Sequence, residues 1–330
     1  MDQHRSKLSF FGGTETVTGS NFLLESADGT SRILIDCGFF QGCTDDKLCN
    51  EENEESFPFD PKSIDALIVT HGHIDHIGRV PKLVRAGFRG PIFSTPPTKE
   101  IAELMLLDSM RVIAREAREE KKDPLYDEKD VMEAMKLWRT ETYHTEFELP
   151  GGYGCHFLNS GHVLGSAIAI ISRAGRSIAF SGDLGNTPAL ILPEAESVSN
   201  VEYLVIESVY GDKKHDDLSK RKERLEDAIE EAINRGGALV IPVFSLERTQ
   251  VLLSEINSFV ESGKIPSVPV FLDSPLAIKL TGVYQKYFSY LNGAAHESRK
   301  NGDDIFKFPK LKLTMDADES IAIADVPNPK

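Results

Sequence analysis

Short apolar runs alternate with glycine-rich polar turns through the first two thirds of the chain, and this pattern predicts strands. The clearest run, residues 64–70, leads directly into the hexapeptide 71–76, and apolar residues at helical spacing follow at 77–87. The hexapeptide therefore falls where a buried strand ends and a short helix begins. Further strands are predicted at residues 7–11, 21–25, 31–36, 91–95, 154–159, 167–172, 177–181 and 203–207.

Two later regions have different patterns. Apolar residues recur near helical spacing from 98 to 139, with a break at Pro124, which predicts a helical insertion. After Glu207, helices and strands alternate, as is typical of a doubly wound α/β domain. The predicted helices are 220–234, 246–262 and 276–291, and the predicted strands are 238–243 and 268–272. We therefore predict two domains, residues 1–208 with an insertion at about 98–140, and residues 209–330.

Composition and charge exclude few functions. The net charge is −15, but much of the acid lies at residues 45–55, which we interpret as a solvated loop, so a phosphodiester substrate is not excluded. No apolar stretch reaches the length of a membrane span and the N-terminus lacks an apolar signal core, so we expect a cytoplasmic protein. The four cysteines form no C-x-x-C pair, and we expect neither a disulfide framework nor a zinc knuckle.

The hexapeptide carries three imidazoles and one carboxylate, on His71, His73, Asp75 and His76. Residues two apart in an extended segment point the same way, so His71 and His73 can converge on one ion. Asp75 and His76 come after the turn and can face a second ion. Imidazole nitrogen and carboxylate oxygen are zinc-type ligands, although the same donors accept manganese or iron. Four donors packed this closely argue against purely structural histidines.

Three more donors lie at predicted strand ends. His162 lies in the glycine-flanked loop 160–166, and Asp183 directly follows a strand in the segment 181–185. Flanking glycines allow the backbone to come close to a ligand. Asp36 also ends a strand and could orient a ligand histidine. The alternative is that Asp36 is an ordinary aspartate of a turn.

The order His71-x-His73-x-Asp75-His76, then His162, then Asp183 resembles the metallo-β-lactamase superfamily, with Asp36 matching its first acidic motif. Segments 12–20, 206–215, 242–250 and 273–277 are similar to motifs of its β-CASP branch, which includes RNase J and the cleavage and polyadenylation specificity nuclease. The resemblance implies an α/β fold, an αββα sandwich followed by a partial β-CASP α/β domain.

The same resemblance implies the roles of the site residues. One zinc ion would be held by His71, His73 and His162, a second by Asp75 and His76, and Asp183 would bridge the two. Asp75 would also act catalytically by holding the attacking water. Glu207 would act catalytically by orienting a histidine that protonates the leaving group. Arg248 and Ser274 would hold phosphate oxygens, although structural roles for these two remain open.

The implied function is a zinc-dependent RNA endonuclease, with 5′ exonuclease activity as a further option. Its substrate would be single-stranded RNA, and no membrane is implied. Two alternatives stay open: a non-catalytic RNA-binding or scaffold protein, and a small-molecule hydrolase of the same superfamily. Whether the substrate is RNA or DNA also stays open. The oligomeric state stays open too, and a homodimer is one option.

The resemblance also implies two histidines further along, a general acid and a last ligand of the second zinc. After Glu207 the chain offers only His215 and His296, and neither has the glycine-rich surroundings of those motifs. We therefore expect the chain to stop within the β-CASP region, with an incomplete second zinc site and poor nuclease activity.

Overall fold

The computed structural model describes residues 6–43, 46–213 and 220–330. The chain divides into two compact units, Met1–Thr187 with Glu194–Glu207, and Pro188–Pro193 with Ser208–Lys330. Within the described ranges, no helix combines the length and the apolar character that a bilayer crossing requires.

The described part of the first unit contains two sheets. The first sheet has six strands in sequence order: β1 Lys7–Phe10, β2 Phe22–Glu25, β3 Arg32–Ile35, β4 Ala66–Ile68, β5 Ile92–Ser94 and β6 Trp138–Thr140. The second has five strands in the order β11-β10-β9-β8-β7: β7 Phe147–Leu149, β8 Tyr153–Asn159, β9 Ala167–Arg173, β10 Arg176–Phe180 and β11 Tyr203–Val205. Strands β3 to β6 are parallel, so their carboxyl ends meet at one edge of the first sheet.

The helices of this unit are α1 Asp46–Glu54, α2 Ile74–Ile77, α3 Val80–Arg85, α4 Pro96–Glu120 and α5 Glu128–Leu137. Helix α4 begins at a proline, and the Thr95 side chain accepts a hydrogen bond from the backbone of Thr98. Helix α5 begins with a capping box between Asp127 and Asp130. The helical insertion is therefore two helices, separated near Pro124.

Alternation along the strands produces two cores. In β3, Leu34 packs against the helices, whereas Ile33 and Ile35 pack against the second sheet. In β4, Leu67 packs against the helices and Ile68 against the second sheet, because successive side chains of a strand point to opposite faces. The layers are therefore helices, first sheet and second sheet. The outer face of the second sheet is covered by apolar residues that include Leu184, Val198 and Val201.

The second unit is an α/β region. Its described elements are α6 Arg221–Asn234, α7 Arg248–Glu261, β12 Val270–Leu272, α8 Pro275–Lys286, α9 Gly293–Lys300, β13 Leu311–Leu313 and α10 Ala317–Ala322. Strands β12 and β13 pair in parallel. Phe259 of α7 and Leu280 and Tyr284 of α8 are fully buried, so the apolar faces of these helices form the core of the unit.

Three expectations from the sequence were wrong. Residues 238–243 form no strand, and Val240 is 84% exposed. The acidic segment 45–55 is not a loop over its described residues, because 46–54 form α1. Cys43 and Cys49 are joined in a disulfide, whereas Cys37 and Cys155 are free and buried.

Candidate metal centre

The candidate site lies at the carboxyl ends of β3 and β4. Asp36 follows β3, and its backbone N–H donates to Ile68 at the end of β4. Its backbone is in the left-handed region at φ 57°, a costly conformation for a residue with a side chain. The N–H and hydroxyl of Thr70 hold its carboxylate, each donating over 2.8 Å.

The hexapeptide turns from extended chain into α2 at His73, the residue that precedes the helix. His71 lies between β4 and α2 and is fully buried, and Asp75 and His76 lie on α2. Gly38 passes so close to this turn that a β-carbon there would lie 1.5 Å from the Asp75 carbonyl oxygen. A glycine at position 38 is therefore required for the β3 end to approach the ligand-bearing helix.

His162 and Asp183 come from two loops of the second sheet. His162 lies between β8 and β9, where its backbone N–H donates to the Ser166 hydroxyl over 3.1 Å. Asp183 follows β10. The two loops touch at Gly185, whose added β-carbon would lie 2.0 Å from the Gly161 carbonyl oxygen. This close approach brings an imidazole and a carboxylate together at one edge of the sandwich.

A first donor set consists of His71, His73, His162 and Asp183, whose ligand atoms all lie within 4.8 Å of one another. His73 Nδ1 is 3.1 Å from both His71 Nε2 and His162 Nε2. Asp183 Oδ2 is 3.4 Å from His162 Nε2 and 3.8 Å from His71 Nε2. Three imidazoles and one carboxylate oxygen thus converge on one point.

A second donor set consists of Asp75, His76 and the other oxygen of Asp183. His76 Nε2 lies 3.2 Å from Asp183 Oδ1 and 3.8 Å from Asp75 Oδ2. The remaining ring nitrogen of His76 lies 2.7 Å from Asp36 Oδ2. Asp183 therefore presents one oxygen to each donor set.

The protonation states of the first set suit a cation. Burial, together with the neighbouring imidazoles, lowers the pKa of His71 well below its ordinary value and that of His73 to about 3. Burial raises the pKa of Asp183, but the hydrogen bond and charge of His76 outweigh it, and the net result is a pKa of about 2. At neutral pH the imidazoles of His71 and His73 are thus neutral and the carboxylate of Asp183 is ionised.

The second set carries a proton in the absence of metal. Burial opposes a charge on His76, but Asp36 and Asp183 outweigh that effect and hold its pKa well above the ordinary range. Burial raises the pKa of Asp75. A cation on this set would take the place of the His76 proton, since a metal-ligating imidazole is neutral.

The spacing of the first set fits a metal ion. Around a tetrahedral zinc with bonds of about 2.0–2.1 Å, neighbouring ligand nitrogens lie about 3.3 Å apart. The 3.1 Å separations at His73 Nδ1 are close to that edge. Three imidazole nitrogens at this spacing can share one cation.

Glu207 follows β11 and lies beside the Asp183 loop. Its Oε1 accepts a hydrogen bond from the Leu184 backbone over 3.2 Å, and its own N–H donates to the Ser181 hydroxyl over 3.1 Å. The structure thus brings Glu207 next to a metal-site residue.

The other predicted site residues lie in the second unit. Arg248 is exposed at the start of α7. Ser274 caps α8 by accepting a hydrogen bond from the Ala277 backbone, which is the structural role left open for it. The His296 ring packs edge-on against Phe288, 5.3 Å between centroids. His215 lies outside the described residues.

Sequence reasoning missed the hydroxyls that position the ligands. Thr70 Oγ1 lies 3.2 Å from His71 Nδ1, and the Ser20 hydroxyl donates to Asp36 Oδ2 over 3.3 Å. The Ser166 hydroxyl accepts from two backbone N–H groups of the His162 loop. Thr70 precedes His71 directly, and that adjacency was an available signal for it. Neither spacing nor periodicity distinguishes Ser20 or Ser166 from other serines.

Comparison with known proteins agrees with this fold. Residues 15–242 match the metallo-beta-lactamase superfamily, and residues 249–330 match the Beta-Casp domain. The chain therefore belongs to the metallo-beta-lactamase superfamily, in the branch that carries a Beta-Casp domain.

Relatives in this family carry names linked to RNA. A Thermus thermophilus protein named as a ribonuclease is 32% identical over 97% of this chain and 70% of its own length. An RNase J-like protein of Methanocaldococcus jannaschii is 30% identical over 97% of the chain and 69% of its own length. The transcription termination factor FttA of Methanosarcina mazei is 33% identical over 87% of the chain, but over only 44% of its own length.

Proposed function

We propose that this chain is the catalytic part of a zinc-dependent ribonuclease that hydrolyses phosphodiester bonds in single-stranded RNA, as an endonuclease in the cytoplasm. The supporting observation is the position of Asp183, whose Oδ2 faces three imidazoles while its Oδ1 faces His76. A carboxylate shared by two donor sets suits a pair of ions roughly 3.5–4 Å apart, the arrangement of many phosphodiesterases. The names of the ribonuclease and RNase J-like relatives support the choice of RNA.

Each residue of the centre has a proposed task. His71, His73 and His162 would hold a first ion, Asp75 and His76 would hold a second, and Asp183 would offer one oxygen to each. Bound ions would supply positive charge at the phosphate oxygens and lower the pKa of a water. Asp75 would hold the attacking water, and Glu207 would position the group that protonates the departing 3′ oxygen.

The substrate contacts and domain division are proposals of the same kind. We assign Arg248 to a phosphate oxygen, since a guanidinium pairs well with phosphate, and we assign a weaker contact to Ser274. We place the division between the two domains at residues 208 and 209. The chain covers less than half of the length of FttA, so the natural substrate of the whole protein is a separate question.

The test compares linear and circular single-stranded RNA, each incubated with zinc or manganese and with the wild-type chain, His73→Ala or His144→Ala. His144 is an exposed histidine paired with Glu196, so its variant controls for loss of an imidazole elsewhere. We expect slow, metal-dependent cleavage of both RNAs by the wild type and by His144→Ala, and none by His73→Ala.

The same assay separates the alternatives. Cleavage of linear RNA alone would indicate an exonuclease, and equal cleavage of matched single-stranded DNA would widen the substrate class. RNA binding without metal-dependent cleavage would favour the scaffold alternative. Hydrolysis of a chromogenic lactam without RNA cleavage would contradict the proposal and indicate a small-molecule hydrolase.

A further inference from the structure

A disulfide lies close to the candidate metal centre along the chain. Cys43 and Cys49 are six residues apart, and their bridge joins the segment 37–43, which follows Asp36, to helix α1. Neither cysteine belongs to the donor sets described above. The bridge therefore ties α1 to a segment that begins at the carboxylate orienting His76.

The segment 37–43 is bonded directly to the ligand-bearing helix α2. The backbone N–H of Cys37 donates to the His76 carbonyl over 2.8 Å, and that of Phe39 donates to the Ile74 carbonyl over 3.0 Å. The Asp75 carbonyl accepts from the Ser20 N–H over 3.0 Å. Three consecutive carbonyls of α2 are thus held by this segment and by the loop that contains Ser20.

Two side chains extend the same network. The Thr18 hydroxyl donates to the Gln41 carbonyl and accepts from the Gln41 N–H, both over 2.9 Å. The Asn53 amide of α1 bonds both backbone groups of Phe40, over 2.9 and 3.0 Å. The disulfide therefore closes a network that runs from α1 through the segment 37–43 to α2 and to the 12–20 loop.

The Cys49 end of the disulfide lines a cavity. A cavity of about 460 Å³ lies between α1 and α4, and its lining includes Gly42, Cys49 and Asn50. Its size is in the range of small-ligand sites. Cys43 is half-buried, and its backbone N–H donates to the Cys49 sulfur over 3.3 Å.

We propose that Cys43 and Cys49 form a reversible thiol–disulfide site that exchanges with a small thiol of the glutathione class. The oxidation state of these two cysteines sets the rigidity of the segment 37–43 and of the α2 turn that this segment holds. A thiolate RS⁻ attacks the Cys43 sulfur, the Cys43–Cys49 bond breaks, and the electron pair leaves on Cys49. The Cys43 N–H stabilises that departing thiolate. A second RS⁻ attacks the small-thiol sulfur that is now bonded to Cys43. This step releases RSSR and the Cys43 thiolate. Both protein thiolates then take up protons from water.

The test equilibrates the whole chain at defined ratios of reduced to oxidised glutathione. The thiols are then alkylated and each cysteine is read by peptide mass spectrometry. We expect Cys43 and Cys49 to become alkylated together as the ratio shifts toward the reduced form. Cys37 and Cys155 are internal controls that stay unmodified in the folded chain, because burial raises the pKa of Cys37 to about 12 and that of Cys155 well above its ordinary value.

Hydrogen exchange measures the consequence for the backbone. Removing a cross-link that closes a short loop should raise opening, and therefore amide exchange at residues 37–43 and 18–20, by about tenfold or more. Strands β8 and β9 are the control and should not change. The double variant Cys43→Ser, Cys49→Ser should exchange like the reduced wild type at every glutathione ratio.

Two results would overturn the proposal. One is alkylation of both cysteines even in fully oxidised glutathione. The other is equal exchange of residues 37–43 in both redox states of the wild type, a measurement that needs no variant. The link to the metal centre rests on the function proposed above, whereas these readouts involve neither metal nor RNA and can fail or succeed without it.

Discussion

His76 Nδ1 lies 2.7 Å from Asp36 Oδ2, and both side chains are buried. This contact occupies one ring nitrogen of His76 and leaves Nε2 facing Asp183 Oδ1 over 3.2 Å. Thr70 in turn holds the Asp36 carboxylate through two hydrogen bonds. The imidazole of the second donor set is thus oriented by a carboxylate, as metal-ligating histidines commonly are.

Asp36→Asn should weaken metal binding at the second donor set by about 10–100-fold, the usual cost of losing a carboxylate that orients a ligand histidine. The first set should be affected less, because Asp36 contacts His76 directly but is linked to His71 through the Thr70 hydroxyl. Calorimetric zinc titration would separate the two sites. Asp123→Asn, an exposed carboxylate, is the matched control. Equal weakening of both sites would contradict this assignment.

Thr70→Val should destabilise the fold by about 1–3 kcal/mol, because it keeps the side-chain shape but removes the hydroxyl that donates to the buried Asp36 carboxylate. Thr70→Ser retains a hydroxyl and should lose much less. Urea unfolding of the metal-free variants at constant m-value measures the difference. Valine and serine variants of equal stability would show that this hydrogen bond contributes little.

Much of the centre followed from local sequence. The apolar run before His71 and the turn after it required only strand alternation and the spacing of the hexapeptide. His162 and Asp183 were identified because each follows a strand in a glycine-flanked loop. The distance between Asp183 and the hexapeptide was beyond that reasoning, since it depends on how two sheets pack face to face.

Each wrong expectation has a physical cause that the local sequence does not reveal. An apolar run such as residues 238–243 becomes a strand only when another strand pairs with it, and pairing is non-local. The acidic segment was judged by its charge, although Cys49 and Asn53, four residues apart, give α1 one buried face. The Cys43–Cys49 bridge depends on backbone geometry that spacing alone does not reveal.

Zinc should raise the unfolding temperature of the wild type and of His144→Ala but have little effect on His73→Ala. A ligand at 100 times its dissociation constant stabilises a folded state by about 2.7 kcal/mol, provided that the unfolded chain does not bind it. Thermal unfolding with added zinc and after chelation measures this shift. An unchanged wild-type transition would argue against a preformed zinc site.

Glu247 is a half-buried residue whose carboxyl group is buried; it lies outside the metal centre, directly before α7. Burial raises its pKa to about 7, although the Tyr284 hydroxyl that donates to its Oε2 and the nearby Arg248 both act to lower it. An unfolded glutamate has a pKa of about 4.3. The folded state therefore holds a proton that the unfolded state has already lost between these two values.

The contribution of Glu247 to the free energy of unfolding is fully present below about pH 4.3 and is lost as the pH rises through about 7. Over this interval the folded chain must either ionise a buried carboxyl or take up a proton that becomes scarcer as the pH rises. Glu247→Gln keeps the acceptor for Tyr284 and does not titrate. The free energy of unfolding of this variant should therefore rise relative to the wild type across that interval. Urea unfolding of both proteins at several pH values tests this, with the exposed Glu261→Gln as control. Parallel pH profiles for Glu247→Gln and the wild type would show that Glu247 is ionised in the folded chain throughout the range.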